Sequence, residues 1–156
     1  MRATFARLCV AGLVLTFALA APLFAQRPAV EEPRVRFCAV DVYVEATNAP
    51  LAAYQMEFAV TNGVAKIVGI EGGESPAFRE APFYDPKAMQ RERVIIAAFS
   101  TESPDHLPSG KTRVATIHLQ IRGAEAPAFE VKLKTAADSN GNKIAARVSI
   151  EERKPQ

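Results

Sequence analysis

From residue 35 onward the chain is written in short alternating runs. In RFCAVDVYVEATN, Cys38, Val40, Val42 and Val44 share one parity and Asp41, Tyr43 and Glu45 the other. Successive side chains of a strand point to opposite faces, so this pattern predicts a strand with one dry side and one wet side. AAYQMEFAVTNG repeats it, with Tyr54, Met56, Phe58 and Val60 against Gln55 and Glu57. It stops at Asn62-Gly63, a pair suited to the positive backbone angles of a tight hairpin turn. VAKIVGIEGG follows as a third strand ending at Gly72-Gly73.

RVIIAAFST is nearly all apolar, as expected of a strand covered on both sides. KTRVATIHLQIRG turns Ala115, Ile117, Leu119 and Ile121 inward and Thr116, His118 and Gln120 outward. AFEVKLKTA sets Phe129, Val131 and Leu133 against Glu130, Lys132 and Lys134, and KIAARVSIEE sends Ile144, Ala146, Val148 and Ile150 in. No long run keeps a helical period. The pattern predicts an all-β, antiparallel, jelly-roll-like β-sandwich of about seven to nine strands, since two half-dry sheets must stack to hide their dry faces.

Residues 75–93, SPAFREAPFYDPKAMQRER, obey no period. Asp85 is placed to cap a short helical turn opened by Pro86 and running to Gln90, so the stretch is expected to hold helical turns and no strand. Its aromatics, Phe78, Phe83 and Tyr84, stand among Pro76, Pro82 and Pro86. Irregular loops of this length lean toward function, and aromatics on stiff backbone make good binding anchors. These three are therefore the candidate ligand-binding residues. The competing role is a lid folded over an open sheet end, which is preferred because soluble monomers expose only small apolar patches. Exposed, coplanar rings would favour a sugar ligand; buried rings would leave a sheet face for a protein. If Phe83 is core, its replacement by alanine should cost about 3–5 kcal/mol.

The N-terminus sets the compartment. Arg2 and Arg7 precede the apolar run LCVAGLVLTFALAAPLF and the small Ala25, the layout of a secretory signal peptide over residues 1–25. Cleavage after Ala20 and an uncleaved anchor are the alternatives. Residues 26–34 then form a linker, residues 35–152 the sandwich domain and residues 153–156 a tail. The expected location is secreted or periplasmic, with no membrane attachment after cleavage. Assembly would recruit a separate chain.

Removing Arg2 and Arg7 from the 19 basic residues leaves 17, equal to the 17 acidic ones. A neutral domain with interspersed signs offers no footprint for nucleic acid. Of the two cysteines only Cys38 survives, so no internal disulfide forms, and its parity predicts a buried thiol.

Chemistry is sparse. His106 and His118 sit in separate elements and do not supply the three or four clustered ligands of a zinc site. DSNGNK lacks the spacing of a calcium loop and reads as a hairpin turn between the last two strands. Ser100, Ser103 and Ser109 have no evident base, and the pairs Glu71/Glu74 and Glu151/Glu152 fall at strand ends, where acids are normally solvated. No catalytic residue, metal or cofactor is expected. Thr116, His118 and Gln120 with Glu130, Lys132 and Lys134 form a further candidate, a mixed-charge polar platform.

The order of these elements resembles the bacterial cohesin domain over residues 35–151. LAAYQMEFAVTNGVAKIVGIEGG is similar to that family's early strands, SGKTRVATIHLQIRG to a later one and KTAADSNGNKIAARVSIEE to its final hairpin. The resemblance implies a jelly-roll-like sandwich related to some carbohydrate-binding modules. It also implies a non-catalytic role in binding dockerin modules through one sheet face. It carries over no dockerin-contact residue, because Val60-Thr61-Asn62-Gly63 stands where the family has a Tyr-Asp-Pro-like turn. The resulting expectation is an exported protein-binding module with a separate extracytoplasmic, dockerin-like partner; the alternative is a polysaccharide-binding module on the same fold.

Overall fold

The computed structural model describes residues 34–153. The expected signal segment, the linker through residue 33 and residues 154–156 of the tail lie outside the described residues. Among the described residues there are eight strands: β1 (Val35–Ala46), β2 (Ala53–Asn62), β3 (Val64–Gly72), β4 (Phe83–Tyr84), β5 (Arg93–Phe99), β6 (Gly110–Arg122), β7 (Ala128–Ala137) and β8 (Ala146–Glu152). They make two antiparallel four-stranded sheets, sheet A in the order β3-β6-β1-β8 and sheet B in the order β4-β5-β2-β7. The protein is all-β, as the alternation predicts.

Consecutive strands almost always change sheet. Only β4 and β5 are sequence neighbours that pair. Each strand has one dry face, and sending its successor to the opposite sheet lets the two dry faces meet. This corrects the expectation of two hairpins. Gly63 and Gly141 do take the left-handed backbone, at φ of 75° and 80°, yet their flanking strands part into different sheets. The turn at residues 138–142 is tied locally instead: the Asp138 carboxylate accepts from the amides of Asn140 (2.9 Å) and Asn142 (2.8 Å).

Val40, Val42 and Val44 of β1 meet Tyr54, Met56 and Phe58 of β2 at the centre, joined by Ile67, Ile96, Ile117, Leu119 and Ile121. All are essentially dry. The Tyr54 hydroxyl donates to the Val114 carbonyl (3.1 Å), so its one polar atom is satisfied. Val114 is the extra residue where the β1–β6 register shifts between Val42 and Tyr43; a bulge frees backbone groups for such a partner. Cys38 is half-buried, its thiol pushed up to about 11 chiefly by burial, with Glu152 adding and Arg36 opposing.

Residues 75–93 close one side of the sandwich. The Gln90 amide donates to the Ile67 carbonyl (2.8 Å) and the Ile67 amide to the Arg91 carbonyl (2.9 Å), tying the stretch to sheet A's edge strand β3. The Asp85 side chain caps the turn at Pro86–Ala88 by accepting from the Lys87 amide (2.9 Å), as the sequence predicts. A second 3-10 turn stands at Pro76–Phe78, capped by Ser75, within the helical turns expected. One feature differs from expectation, since Phe83–Tyr84 forms a two-residue edge strand paired to Ala97 and Ile96. Two residues suffice for that pairing because β5 supplies an edge with free backbone groups.

Candidate functional site

The three candidate aromatics part company. Phe78 is 2% exposed and meets the Tyr54 ring edge-on, centroids 5.3 Å apart. Tyr84 is half-buried and leans on the core. Phe83 is 68% exposed, pointing outward from sheet B. Alternation explains the split between the last two, because neighbouring residues of β4 face opposite sides. The condition attached to the Phe83 stability loss is therefore not met, since the ring lies outside the core.

Phe83 has a companion that the sequence did not single out. Phe99, 64% exposed, lies with its ring 6.0 Å away and tilted by only 10°. β5 is not covered on both sides, contrary to its composition. Val94 and Ile96 are buried, whereas Ile95 and Phe99 face solvent. The outer face of sheet B thus carries an apolar band made by Phe83, Phe99 and Ile95 over the small side chains of Ala97 and Ala53. The unbroken apolar run VIIAAF was the available signal: an apolar strand at a sheet's flank is either covered or waiting to be covered.

Charges border the band on two sides. Glu57 receives Arg93 through two bonds of 2.9 and 3.0 Å and Lys134 at 3.1 Å, and hydrogen bonds from these two cations hold its carboxyl down at about 2. Beyond the rings, a groove of about 350 Å³ is lined by Glu80, Phe83, Phe99, Ser100, Thr101 and Glu102 among others. An apolar centre with a charged border is the anatomy of a protein-binding patch.

Comparison adds no relative. The chain matches no family model, no curated protein and no solved structure.

The outer face of sheet A is a different surface. Asp41, expected on a wet face, is only 8% exposed. It accepts two bonds from Arg153, both 2.9 Å, and one from the Thr116 hydroxyl at 2.7 Å. Arg113 completes the cluster by donating to Thr116 (2.8 Å) and to the Gly72 carbonyl (3.1 Å). Burial works against the Asp41 charge, but the hydrogen bonds from Arg153 and Thr116, aided by Arg113, hold its carboxyl below the ordinary value. The cluster links β1, β6 and the residue that follows β8, so it pins an edge strand to the sheet.

The proposed polar platform therefore does not exist as one surface. Thr116, His118 and Gln120 project from sheet A, and Glu130, Lys132 and Lys134 from sheet B, on opposite sides of the sandwich. Thr116 is fully buried beneath the two arginines.

The remaining candidates assemble no reaction centre. His106 Nδ1 lies 3.3 Å from the Ser103 hydroxyl and 3.6 Å from a Glu102 oxygen, so acid and alcohol crowd one ring nitrogen. A relay needs them on opposite nitrogens. His118 Nε2, shut off from solvent, stands 3.1 Å from a Glu71 oxygen without hydrogen-bond alignment. Among the described residues no three His, Cys, Asp or Glu side chains converge as metal ligands. A cavity of about 580 Å³ opens beside Phe37, Cys38, Leu119 and Ile121, where β1 extends beyond the end of β8.

Proposed function

We propose that this is an exported, non-catalytic binding module that docks a separate extracytoplasmic protein on the outer face of sheet B, with Phe83 and Phe99 as its anchors. One observation carries the reading: β5 is apolar on both faces and covered on one. Bare aromatic rings on a rigid sheet cost little entropy to present and gain much by burial, which makes them hot-spot residues. The likeness of the strand order to cohesin domains, which bind their partners through a sheet face, points the same way. The basic-then-apolar N-terminus supports export.

The test places a photo-crosslinking amino acid at Ile95, in the middle of the band, and at Glu71 on sheet A as control. Adducts to an extracytoplasmic protein at Ile95, absent at Glu71 and lost in a Phe83→Ser/Phe99→Ser background, are expected. Equal adducts from both faces would defeat the reading. N-terminal sequencing of the recovered protein should begin after Ala20 or Ala25.

A second reading has its own support, because exposed, near-coplanar rings are the outcome that favours a sugar ligand. Of the three loop aromatics only Phe83 meets that criterion, while Phe78 is buried. The near-parallel rings beside Glu80, Ser100, Thr101 and Glu102 offer stacking surface and hydroxyl partners together, the combination a polysaccharide needs. Retardation of the protein in glycan-loaded gels, abolished by Phe99→Ser, would favour it over a protein partner.

A further inference from the structure

We infer that the N-terminal end of β1 is a further docking site, which takes an extended segment of another polypeptide as an added strand of sheet A. The site uses no residue of sheet B's outer face and stands independently of the reading above.

β1 begins at Val35, but β8 pairs with it only from Val40 onward. The Arg34 carbonyl accepts from Gly123 (3.0 Å), on the β6 side, and the Ala39 carbonyl accepts from Arg153 (2.8 Å), on the β8 side. Backbone groups of successive strand residues turn to opposite sides, so Val35 and Phe37 direct theirs, like Ala39, past the end of β8. Among the described residues nothing pairs with their N–H and C=O groups there. Both side chains are exposed on the outer face. An open ladder bearing apolar side chains is a template for another strand. Other edges are blunted: β3 is bonded to the backbone of Gln90 and Arg91, and β7 carries Glu130, Lys132 and Lys134.

The cavity of about 580 Å³ opens at this same edge. Strand addition uses both parts, main-chain partners for affinity and a pocket for alternate side chains. Arg36 and Cys38 have inward parity and line the cavity, so residues set opposite them in an added strand turn toward it. Arg36 donates to the Glu125 carbonyl (2.7 Å) and, among the described residues, forms no ion pair. Glu152, level with Val40, lines the same cavity, so net charge does not choose the occupant. The backbone register does.

That register argues against two nearby candidates. Were residues 154–156 to continue β8, Pro155 would fall opposite Phe37, with no N–H for the Phe37 carbonyl. A second copy would bring its own β1, antiparallel. Phe37 set against Phe37 puts Val35 opposite Ala39, whose carbonyl Arg153 already holds. Arg36 against Arg36 places like charges directly opposite, and Val35 against Val35 brings Pro33 to Phe37. A strand of a different protein meets none of these obstacles. Its complementary form is antiparallel, like the rest of sheet A, with apolar residues opposite Val35, Phe37 and Cys38 and a carboxylate opposite Arg36.

The test is amide-resolved NMR of the isotope-labelled protein with a probe built to this rule, acetyl-Val-Val-Glu-Val-Thr-Thr-amide. Its first four residues fall opposite Cys38, Phe37, Arg36 and Val35. In the free protein the Val35 and Phe37 amides should exchange as fast as solvent-exposed ones; protection there means that the edge is already covered and overturns the inference. Added to about 1 mM, the peptide should slow exchange at both. N-methylation of the residue opposite Phe37 removes an N–H that the ladder needs and should weaken binding about tenfold. N-methylation opposite Arg36, where the N–H points away from β1, should leave binding unchanged. Phe37→Pro should abolish binding while the melt holds, because the amide it deletes points out of sheet A; the N-methyl pair tests the same bond with the protein unaltered. Arg36→Glu should prefer the peptide with lysine in place of glutamate. Phe83→Ser/Phe99→Ser should bind the peptide as the wild type does; loss there would put the peptide on sheet B and overturn the inference. So would no binding by the wild-type protein, or equal losses from the two N-methyl peptides, and neither result bears on the crosslinking at Ile95.

Discussion

On the outer face of sheet A, the one buried carboxylate, Asp41, is met by two arginines and a hydroxyl, and every member of the cluster has a partner within the chain. On the outer face of sheet B, two phenylalanines and an isoleucine project beside the strand pair β4–β5, exposed among the described residues. Both faces arise from the same period-two alternation. The difference lies in what the outward positions hold: on sheet A, charges close enough to satisfy one another; on sheet B, apolar groups with no internal remedy. A face that settles its own interactions strengthens the fold; one that does not leaves apolar area unburied, and the proposed docking role is what would use it.

The largest effect belongs to the residue that links the irregular stretch to the core. Phe78→Ala removes a ring that is 2% exposed and packed on Tyr54, and should cost about 3–5 kcal/mol in urea unfolding. Phe78 and Phe83 lie in one stretch and are predicted to behave oppositely. A small loss at Phe78 would mean that residues 75–93 sit outside the cooperative unit.

Asp41→Asn probes sheet A. It removes the negative charge that Arg153 and Arg113 face and replaces one acceptor oxygen by an NH2 group turned toward the guanidinium, in a partly screened site, since the Arg153 side chain is 46% exposed. The expected loss is about 2–3 kcal/mol, below the range for fully buried pairs because of that screening. Arg153→Ala should lose less, since Arg113 and Thr116 remain beside the carboxylate. If the two losses are equal, the clamp works through β8 alone.

Acid should weaken both faces with the same sign. Asp41 and Glu57 have carboxyls held below their ordinary values, so the unfolded chain takes up protons that the folded chain resists. Their stabilisation is complete above the unfolded values and is lost as pH falls through the folded ones, which for Glu57 means from 4.5 toward about 2. Urea midpoints measured through that window should fall, with a shallower slope in Asp41→Asn. Glu57→Gln should flatten the slope less, because its ion pairs are open to solvent.

Parity carried a long way here. The inward valines of β1, the Tyr54, Met56 and Phe58 row and the Ile117 to Ile121 row are where alternation puts them, because one buried face per strand leaves no other register. Alternation does not say which strands pair, so Asn62-Gly63 and Asn140-Gly141 looked like hairpins when they are crossings between sheets. It is also blind to burial on an outer face: Asp41 and Thr116 look wet in sequence and become dry only when Arg113 and Arg153 fold over them from distant positions. The site was half legible. Phe83 stood out by its setting, whereas Phe99, sixteen residues on by sequence number, joins it only because β4 pairs with β5.

The smallest expected change in stability is the one that sharpens the comparison most. Phe83→Ser and Phe99→Ser replace rings that are 68% and 64% exposed, so each should move the unfolding free energy by no more than about 0.5 kcal/mol in either direction. On the proposed docking role, the transfer of an exposed ring to a bound interface is the step these substitutions remove, so binding should fall while the melt stays put. Serine at Phe83 also withdraws a side chain from a strand only two residues long, and hydrogen exchange at Ala97 and Ile96 will report whether β4 still pairs. If exchange there is unchanged and binding at Ile95 is lost, the rings act by contact. If β4 opens in the variant, they act by holding the edge in place, and the anchor role passes to Phe99 alone.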